Sequence, residues 1–148
     1  MARRNALELN RPVFVDTAAW IGLVVEGDAL RQEALATFAR LGAERASLVT
    51  SELVLIEFGN ALATPAQRSF GYRFVANLRA STGTRIVPAE DGLLVEAWDL
   101  HGRRPDKSWS LVDCSSFIVI AREGIGRAFT SDRHFEQAGF QRLMTGNT

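Results

Sequence analysis

The 148-residue sequence contains little cysteine, little lysine and no long apolar run. Its one cysteine, Cys114, excludes an internal disulfide and a metal site built from several cysteines, and we expect it to be a small buried side chain. The longest apolar stretch, Ala18 to Val25, is far shorter than the ~20 residues that a membrane-spanning helix needs. The sequence therefore predicts a cytoplasmic protein that does not cross a membrane.

An excess of charge of either sign is also absent, since 17 basic residues balance 17 acidic residues. This balance argues against a protein that holds nucleic acid by bulk electrostatics alone. The charge is unevenly distributed, because the segment from Phe58 to Ala89 has no acidic residue but four arginines: Arg68, Arg73, Arg79 and Arg85. Any local attraction for a polyanion is expected there.

Short apolar runs of β type alternate with longer segments of helical period, without a repeat or linker. This alternation is typical of an α/β domain with a mainly parallel sheet, and 148 residues suit a single domain spanning 1–148. The predicted strands are Val13 to Val15, Leu48 to Thr50, Arg85 to Val87 and Ala128 to Thr130. The segments between them are predicted to be mainly helical.

The predicted helices are placed by apolar spacing and by capping residues. One is opened by Asp28 and repeats Leu30, Ala34, Phe38 and Leu41 on one face. Others are predicted after Thr17, over Ser51 to Leu62, from Pro65 onward, over Glu90 to Leu100 and over Ser110 to Glu123, with His101 to Ser108 as a polar loop. Each predicted strand is thus followed by a helix or a turn.

Three acidic residues stand where an α/β fold places ligands. Asp16 directly follows the strand VFV, Asp132 follows the last predicted strand, and Asp113 lies in the first turn of a predicted helix. Ligands of open parallel sheets bind beyond the carboxyl ends of the strands. Glu57, in the middle of its helix, reaches the same edge if that helix angles across it. The four side chains are therefore candidates for one site.

Carboxylate oxygens are hard ligands, so such a set without histidine or cysteine favours Mg²⁺ or Mn²⁺ over Zn²⁺. These ions lower the pKa of bound water and stabilise charge on a phosphate undergoing displacement. Hydrolysis of a phosphodiester is the predicted chemistry.

Each acid also has an interpretation without catalysis. Asp113 can close a capping box with Ser110, Asp132 can cap a turn, and Glu57 can be an exposed helix residue. Asp16 is harder to explain in this way, because an acid that ends an apolar strand lies close to the core. Spacing alone leaves both interpretations open.

The two histidines, His101 and His134, have no zinc-type spacing. We expect both to be surface or packing residues, and neither is a candidate general base.

The segments VFVDTAAW, SELVLIEFGNAL, DKSWSLVDCSSF and AFTSDRHFEQAGF resemble the four signature blocks of PIN domains, in the same order and over nearly the whole chain. Within that family they are most similar to the VapC-type toxins. The resemblance implies a three-layer α/β fold with a mainly parallel central sheet flanked by helices. It also implies a metal-dependent endoribonuclease in which Asp16, Glu57, Asp113 and Asp132 surround Mg²⁺ or Mn²⁺.

The resemblance extends to several supporting residues. It implies that the hydroxyl groups of Thr17 and Ser131 orient the acids or a metal-bound water, and that Ser110 caps the helix that carries Asp113. Ordinary capping is the alternative for all three. Asp106 lies in a stretch similar to one subset of the family, and is either an outer residue of the site or the partner of a neighbouring arginine.

The resemblance further implies an RNA substrate, a cognate antitoxin protein that holds the toxin inactive, and commonly a homodimer. Two alternatives remain open, a non-toxic PIN nuclease of RNA processing and a PIN-like module that binds RNA or protein without cutting. The presence of all four acids counts against the second alternative.

The predicted helix after Thr64 has Pro65 at its first position and Gln67 in capping-box spacing. We expect its face of Phe70, Phe74 and Leu78 to be buried, which directs Arg68, Tyr72 and Arg79 outward together. Arginines flanking a tyrosine can contact phosphates and stack on an unpaired base. The alternative is that this stripe is a dimer or antitoxin interface.

Overall fold

The computed structural model describes residues 11–146, so residues 1–10 and 147–148 of the predicted domain lie outside it. The five strands are β1 (Val13–Val15), β2 (Leu48–Ser51), β3 (Thr84–Val87), β4 (Arg127–Phe129) and β5 (Gln141–Arg142). The seven helices in this range are α1 (Thr17–Val24), α2 (Arg31–Ala43), α3 (Glu52–Ala61), α4 (Pro65–Ala80), α5 (Asp91–Arg103), α6 (Leu111–Glu123) and α7 (Arg133–Gln137). The predicted α/β class is confirmed.

The five strands form one parallel sheet in the order β3-β2-β1-β4-β5. The chain moves outward from β1 to β3 and then returns to pair β4 with the other side of β1. This reversal of strand order between β1 and β4 opens a crevice at the carboxyl ends of the strands, where such sheets bind ligands. Asp16 stands at that point, and its backbone N–H donates to the carbonyl of Phe129 at 3.1 Å.

The four predicted strands are observed with ends displaced by one residue at most, whereas β5 was not predicted. β5 has only two residues, Gln141 and Arg142, at the edge of the sheet, and its polar composition gives no strand pattern. The loop predicted from His101 is also wrong in part, because α5 continues to Arg103. A glycine such as Gly102 weakens a helix by only about 1 kcal/mol and does not have to end it.

Two predicted buried faces are displaced by one position. In α2 the buried residues are Ala34, Thr37 and Leu41, while Phe38 is 44% exposed. In α4 the prediction that Phe70 is buried is wrong, since it is 59% exposed. The neighbouring Gly71 explains this, because a side chain there would meet Leu62 at 3.4 Å and the helix approaches the core by that face.

Aromatic packing fixes the helices that carry the predicted acids. Phe135 of α7 is fully buried, stacks on Phe14 of β1 with ring centres 6.5 Å apart, and meets the edge of Phe117 of α6 at 5.0 Å. Phe117 lies one turn after Asp113, so this contact brings the first turns of α6 and α7 together. Cys114 is buried and free, as predicted.

No helix between residues 11 and 146 is long and apolar enough to span a bilayer.

Candidate carboxylate site

Asp16 is a buried carboxylate at the carboxyl end of the central strand. It is the residue before α1, but its side chain does not cap that helix. Instead its Oδ2 accepts a hydrogen bond of 2.8 Å from the hydroxyl group of Thr130, which follows β4. Only 5% of Asp16 is exposed. The carboxylate is therefore held in the crevice between β1 and β4 rather than at the surface.

The surroundings of Asp16 raise the pKa of this carboxyl from 3.8 to about 7. Burial is the largest cause, because it removes the charged form from water. Hydrogen bonds from Thr130 and from the backbone of Thr17 lower the pKa, while the charges of Asp113 and Glu57 raise it further. Burial, with a smaller contribution from the neighbouring acids, therefore outweighs the hydrogen bonds that favour the charged form of Asp16.

Asp113 is both a helix cap and a member of this site. Its backbone N–H donates to the Ser110 hydroxyl at 2.9 Å, and its Oδ2 accepts from the Ser110 backbone at 3.1 Å, which completes the predicted capping box. The same Oδ2 lies 2.9 Å from Nδ1 of His134. Asp113 therefore caps its helix and also lies in the candidate site.

Asp132 has the same double character. It caps α7, because its Oδ1 accepts from the backbone N–H of His134 at 2.9 Å. Its own backbone N–H donates to the hydroxyl group of Thr130 at 3.1 Å. Since that hydroxyl group in turn donates to Asp16, Thr130 connects the two acids through one side chain.

Glu57 lies on α3 and is partly buried. Its charge contributes to the raised pKa of Asp16, so α3 brings it to the same edge of the sheet. Hydrogen bonds thus join Asp16 to Asp132 through Thr130 and Asp132 to Asp113 through His134, and Glu57 acts on Asp16 through its charge.

The hydroxyl groups of Thr17 and Ser131 do not make the contacts with the acids that the resemblance implies. The hydroxyl group of Thr17 faces the carbonyl of Val54 at 3.5 Å, and only its backbone N–H bonds to Asp16. Ser131 is tied through its carbonyl, which accepts from Arg142 at 2.8 Å. The hydroxyl group that orients the acids is that of Thr130, one residue earlier in the chain than Ser131.

Asp106 is an exposed partner of an arginine. Its two oxygens accept from Nε and Nη2 of Arg104 at 3.0 and 2.9 Å. This pair lowers the pKa of Asp106 to about 2. The geometry corresponds to the second of the two predicted roles, pairing with a neighbouring arginine.

The prediction that both histidines are surface or packing residues holds for His101 and is wrong for His134. His101 is exposed and its ring meets the edge of Trp98 at 6.2 Å. His134 lies within the site, with its Nδ1 against Asp113 and Asp132. Zinc spacing was the wrong criterion, because a residue two positions after a capping acid remains beside that acid in the first helical turn.

The stripe predicted to bind RNA is exposed on α4, but its members differ. Tyr72 is 76% exposed. The guanidinium group of Arg68 donates to the carbonyl of Ala63 at 2.8 and 3.2 Å, whereas that of Arg79 forms a two-point ion pair with Glu52. Arg79 is thus neutralised, and Arg68 keeps its charge free of a carboxylate among the described residues.

The capping box predicted at the start of α4 is not formed. Thr64 is the residue before the helix and Pro65 is its first residue, as predicted. However, the Thr64 hydroxyl group donates to the side-chain oxygen of Gln67 at 3.2 Å and caps no backbone N–H.

The PIN domain family model matches residues 13–141. The chain belongs to the PIN-domain family. It is 35% identical, over 132 residues, to the 23S rRNA-specific endonuclease VapC20 of Mycobacterium tuberculosis, found under that name in strains CDC 1551 / Oshkosh and H37Rv. The match covers 86% of this chain and 95% of the relative.

A solved structure extends the likeness to the fold. The crystal structure of Mycobacterium tuberculosis VapC20, described as a sarcin-ricin loop cleaving toxin, matches with a TM-score of 0.78 and 30% identity. The match covers 86% of this chain and 95% of that chain. The resemblance inferred from the four sequence blocks is confirmed, and so is the PIN-like fold.

Proposed function

We propose that this PIN-domain protein is a metal-dependent endoribonuclease and the toxin of a type II toxin-antitoxin pair. The observation that carries the proposal is the gathering of Asp16, Glu57, Asp113 and Asp132 at the carboxyl edge of the sheet. None of the four has an arginine or lysine partner within residues 11–146. The chain is 35% identical to a 23S rRNA-specific endonuclease. Carboxylates without a basic partner are the ligands that a divalent metal ion for such chemistry would need.

The donor atoms suit a hard divalent cation. Asp113 and Asp132 each use one oxygen for hydrogen bonds to the protein, and Oδ1 of Asp113 and Oδ2 of Asp132 accept none from the described part of the chain. Together with Asp16 and Glu57 they would hold Mg²⁺ or Mn²⁺. A bound ion would supply an acidified water and positive charge for the phosphate group.

The residues around the acids prepare them for that task. Thr130 fixes Asp16 relative to Asp132, and the capping box with Ser110 fixes the side chain of Asp113. Side chains held in advance lose little rotamer entropy when a ligand binds. Asp16 is buried in surroundings of low dielectric constant, where the attraction between a carboxylate and a cation is stronger than in water.

By similarity to VapC20, we propose 23S rRNA as the substrate of this chain in the cytoplasm. The proposed partners are a cognate antitoxin and a second copy of the chain in a homodimer. Arg68 and Tyr72 are proposed to contact the RNA, since both are exposed on α4 and no carboxylate of the described chain neutralises Arg68.

Cleavage by the purified protein tests the enzymatic part. Antitoxin-free protein is incubated with ribosomes and with purified 23S rRNA, in Mn²⁺ or in EDTA, and primer extension maps any cut. We expect cleavage with Mn²⁺, none with EDTA and none by Asp16→Asn. Intact RNA in all conditions would reject the proposed activity, and cleavage by Asp16→Asn at the wild-type rate would reject the site.

Expression in cells tests the toxin part. The wild-type chain produced alone should arrest growth, whereas Asp113→Asn at the same protein level should not. Equal growth with both proteins would favour a non-toxic nuclease or a binding module.

A further inference from the structure

We infer that His134 is a positioning residue of the carboxylate site, which ties one oxygen of Asp113 and one of Asp132 and leaves the other oxygen of each to a cation. The inference rests on the proposed function, because it assigns a role within the proposed metal site. Neither the PIN-domain match nor the relatives assign this residue a role.

The imidazole ring lies between the two acids. Its Nδ1 is 2.9 Å from Oδ2 of Asp113 and 3.4 Å from Oδ1 of Asp132. These are the same two oxygens that accept backbone hydrogen bonds, from Ser110 in the first case and from His134 itself in the second. His134 therefore adds to contacts that already face the protein, and the opposite oxygens keep their lone pairs.

The donor and acceptor roles follow from the surroundings. Both contacted oxygens accept a backbone N–H, which identifies them as acceptors, so Nδ1 is the donor and carries a hydrogen. The neutral Nδ1–H tautomer and the imidazolium ion both meet this requirement. The positioning role therefore does not depend on the charge of the ring.

The position of the His134 backbone is set by the packing of α7. His134 stands between Asp132, which caps α7, and Phe135, which is fully buried against Phe14 and Phe117. α7 therefore cannot rotate without disrupting the core. The imidazole joins the start of α7 to the start of α6, where Asp113 lies.

A histidine suits this place better than a stronger cation. An arginine or lysine would neutralise the two carboxylates and occupy the space that a metal ion needs. The ring N–H is the donor to one oxygen of Asp113, and the backbone N–H of the same residue is the donor to one oxygen of Asp132. A neutral ring leaves the negative charge of the site in place. Groups that hold metal ligands in this way typically change metal affinity 10- to 100-fold when they are removed.

The alternative is that His134 coordinates the ion itself, since one donor atom from each of Asp113, Asp132 and His134 can be chosen within 4.8 Å of the others. An Nδ1 that donates a hydrogen bond to Asp113 has no lone pair for a metal. Direct coordination would therefore have to use Nε2, with the hydrogen bond to Asp113 kept. It would add a nitrogen to the ligands of the ion, whereas the positioning role would not, so the two roles give different spectra.

The test measures Mn²⁺ binding by the full chain without RNA, for wild type, His134→Ala, His134→Asn and His101→Ala. His134→Ala should lower the Mn²⁺ affinity by about tenfold or more. The amide nitrogen of Asn occupies the place of Nδ1 and should restore most of the affinity. His101→Ala, at the exposed histidine, should bind like wild type. Pulsed electron paramagnetic resonance of bound Mn²⁺ should show no directly coordinated nitrogen.

Three results would overturn the inference: wild-type affinity in His134→Ala, no recovery in His134→Asn, or a nitrogen bound directly to Mn²⁺. If His134→Ala does not fold, ¹⁵N spectra of the wild-type ring decide, because an unprotonated Nδ1 in the metal-free protein contradicts the donor role. Cleavage of 23S rRNA is scored separately. A wild-type chain that binds Mn²⁺ through this arrangement but leaves RNA intact would reject the proposed function alone.

Discussion

The acids of the candidate site and the acids of the outer surface differ in their partners. Many carboxylates on the surface are paired with arginines, as in Glu52 with Arg79 and Asp106 with Arg104. In the site, no arginine or lysine of the described chain forms an ion pair with the four acids, and the pKa of Asp16 is raised in part by its acidic neighbours. A net charge of zero therefore conceals a local excess of negative charge.

The two groups of acids also differ in their effect on the stability of the folded chain. Exposed ion pairs contribute about 0–1 kcal/mol each and are weakened by salt. A buried carboxylate near like charges destabilises the folded chain, and such arrangements are found mainly where a ligand compensates for them. The arginine pairs neutralise much of the surface charge, and acids that stand close together without a basic partner mark the place where an external cation is needed.

Replacing one acid from each group should give the largest contrast. Asp132→Asn keeps an oxygen that can cap α7 but removes the charge, so folding should be retained while RNA cleavage in Mn²⁺ falls more than about a hundredfold, beyond the usual effect of losing an outer contact. Asp106→Asn, which breaks an exposed pair with Arg104, should cleave at nearly the wild-type rate. Single-turnover cleavage rates, with thermal unfolding as a check on folding, measure both.

Comparable rates for the two variants would remove the distinction between site and surface. A slow Asp106→Asn with a normal Asp132→Asn would place the catalytic centre near the loop before α6 instead.

A smaller effect is expected in the pH dependence of stability. Because the pKa of Asp16 is raised from 3.8 to about 7, the folded chain binds this proton more tightly than the unfolded chain does. The stabilisation is fully present below the unfolded pKa and is lost as the pH rises to about 7. Metal-free wild type should therefore lose a few kcal/mol relative to Asp16→Asn between pH 4 and 8, at about 1.4 kcal/mol per pKa unit.

Denaturant unfolding at several pH values in EDTA measures this difference. If the difference in the free energy of unfolding between the two proteins did not change with pH, Asp16 would not have a raised pKa in the folded chain. Saturating Mn²⁺ should reduce the slope, since a cation stabilises the charged form that burial disfavours.

The sequence predicted the acids of the site better than the groups that hold them. Asp16 and Asp132 follow apolar strands, and a parallel sheet brings such strand ends together. Thr130 gave no comparable signal, because its role depends on a contact between chain segments far apart in sequence. His134 has a local signal, its place two positions after the capping acid Asp132, but the criterion of zinc spacing overlooked it. Thr130 bonds to Asp16 across 114 positions.

The errors in the fold have similar causes. β5 is a two-residue edge strand without an apolar pattern, so only its pairing with β4 identifies it. Phe70 fits an apolar stripe, but the approach of α4 to α3 is decided by the small Gly71 against Leu62. Periodicity finds the helix, whereas the packing partner decides which of two neighbouring faces is buried.

The smallest effects are expected on the α4 stripe, where the comparison between paired and unpaired charges can be made with arginines. The side chain of Arg68 bonds only to the carbonyl of Ala63 among the described residues, and Arg79 is paired with Glu52. Arg68→Ala should reduce the slope of log affinity against log salt by about 0.7 to 0.9, the value for one lost phosphate contact. Arg79→Ala should change the slope less, and Glu52→Gln should strengthen RNA binding by releasing Arg79. Filter binding with Asp16→Asn as the uncleaving background measures all three. Equal slopes, together with a changed mass in light scattering for Arg68→Ala, would assign the stripe to an interface between proteins, since arginine and tyrosine are favoured there as well.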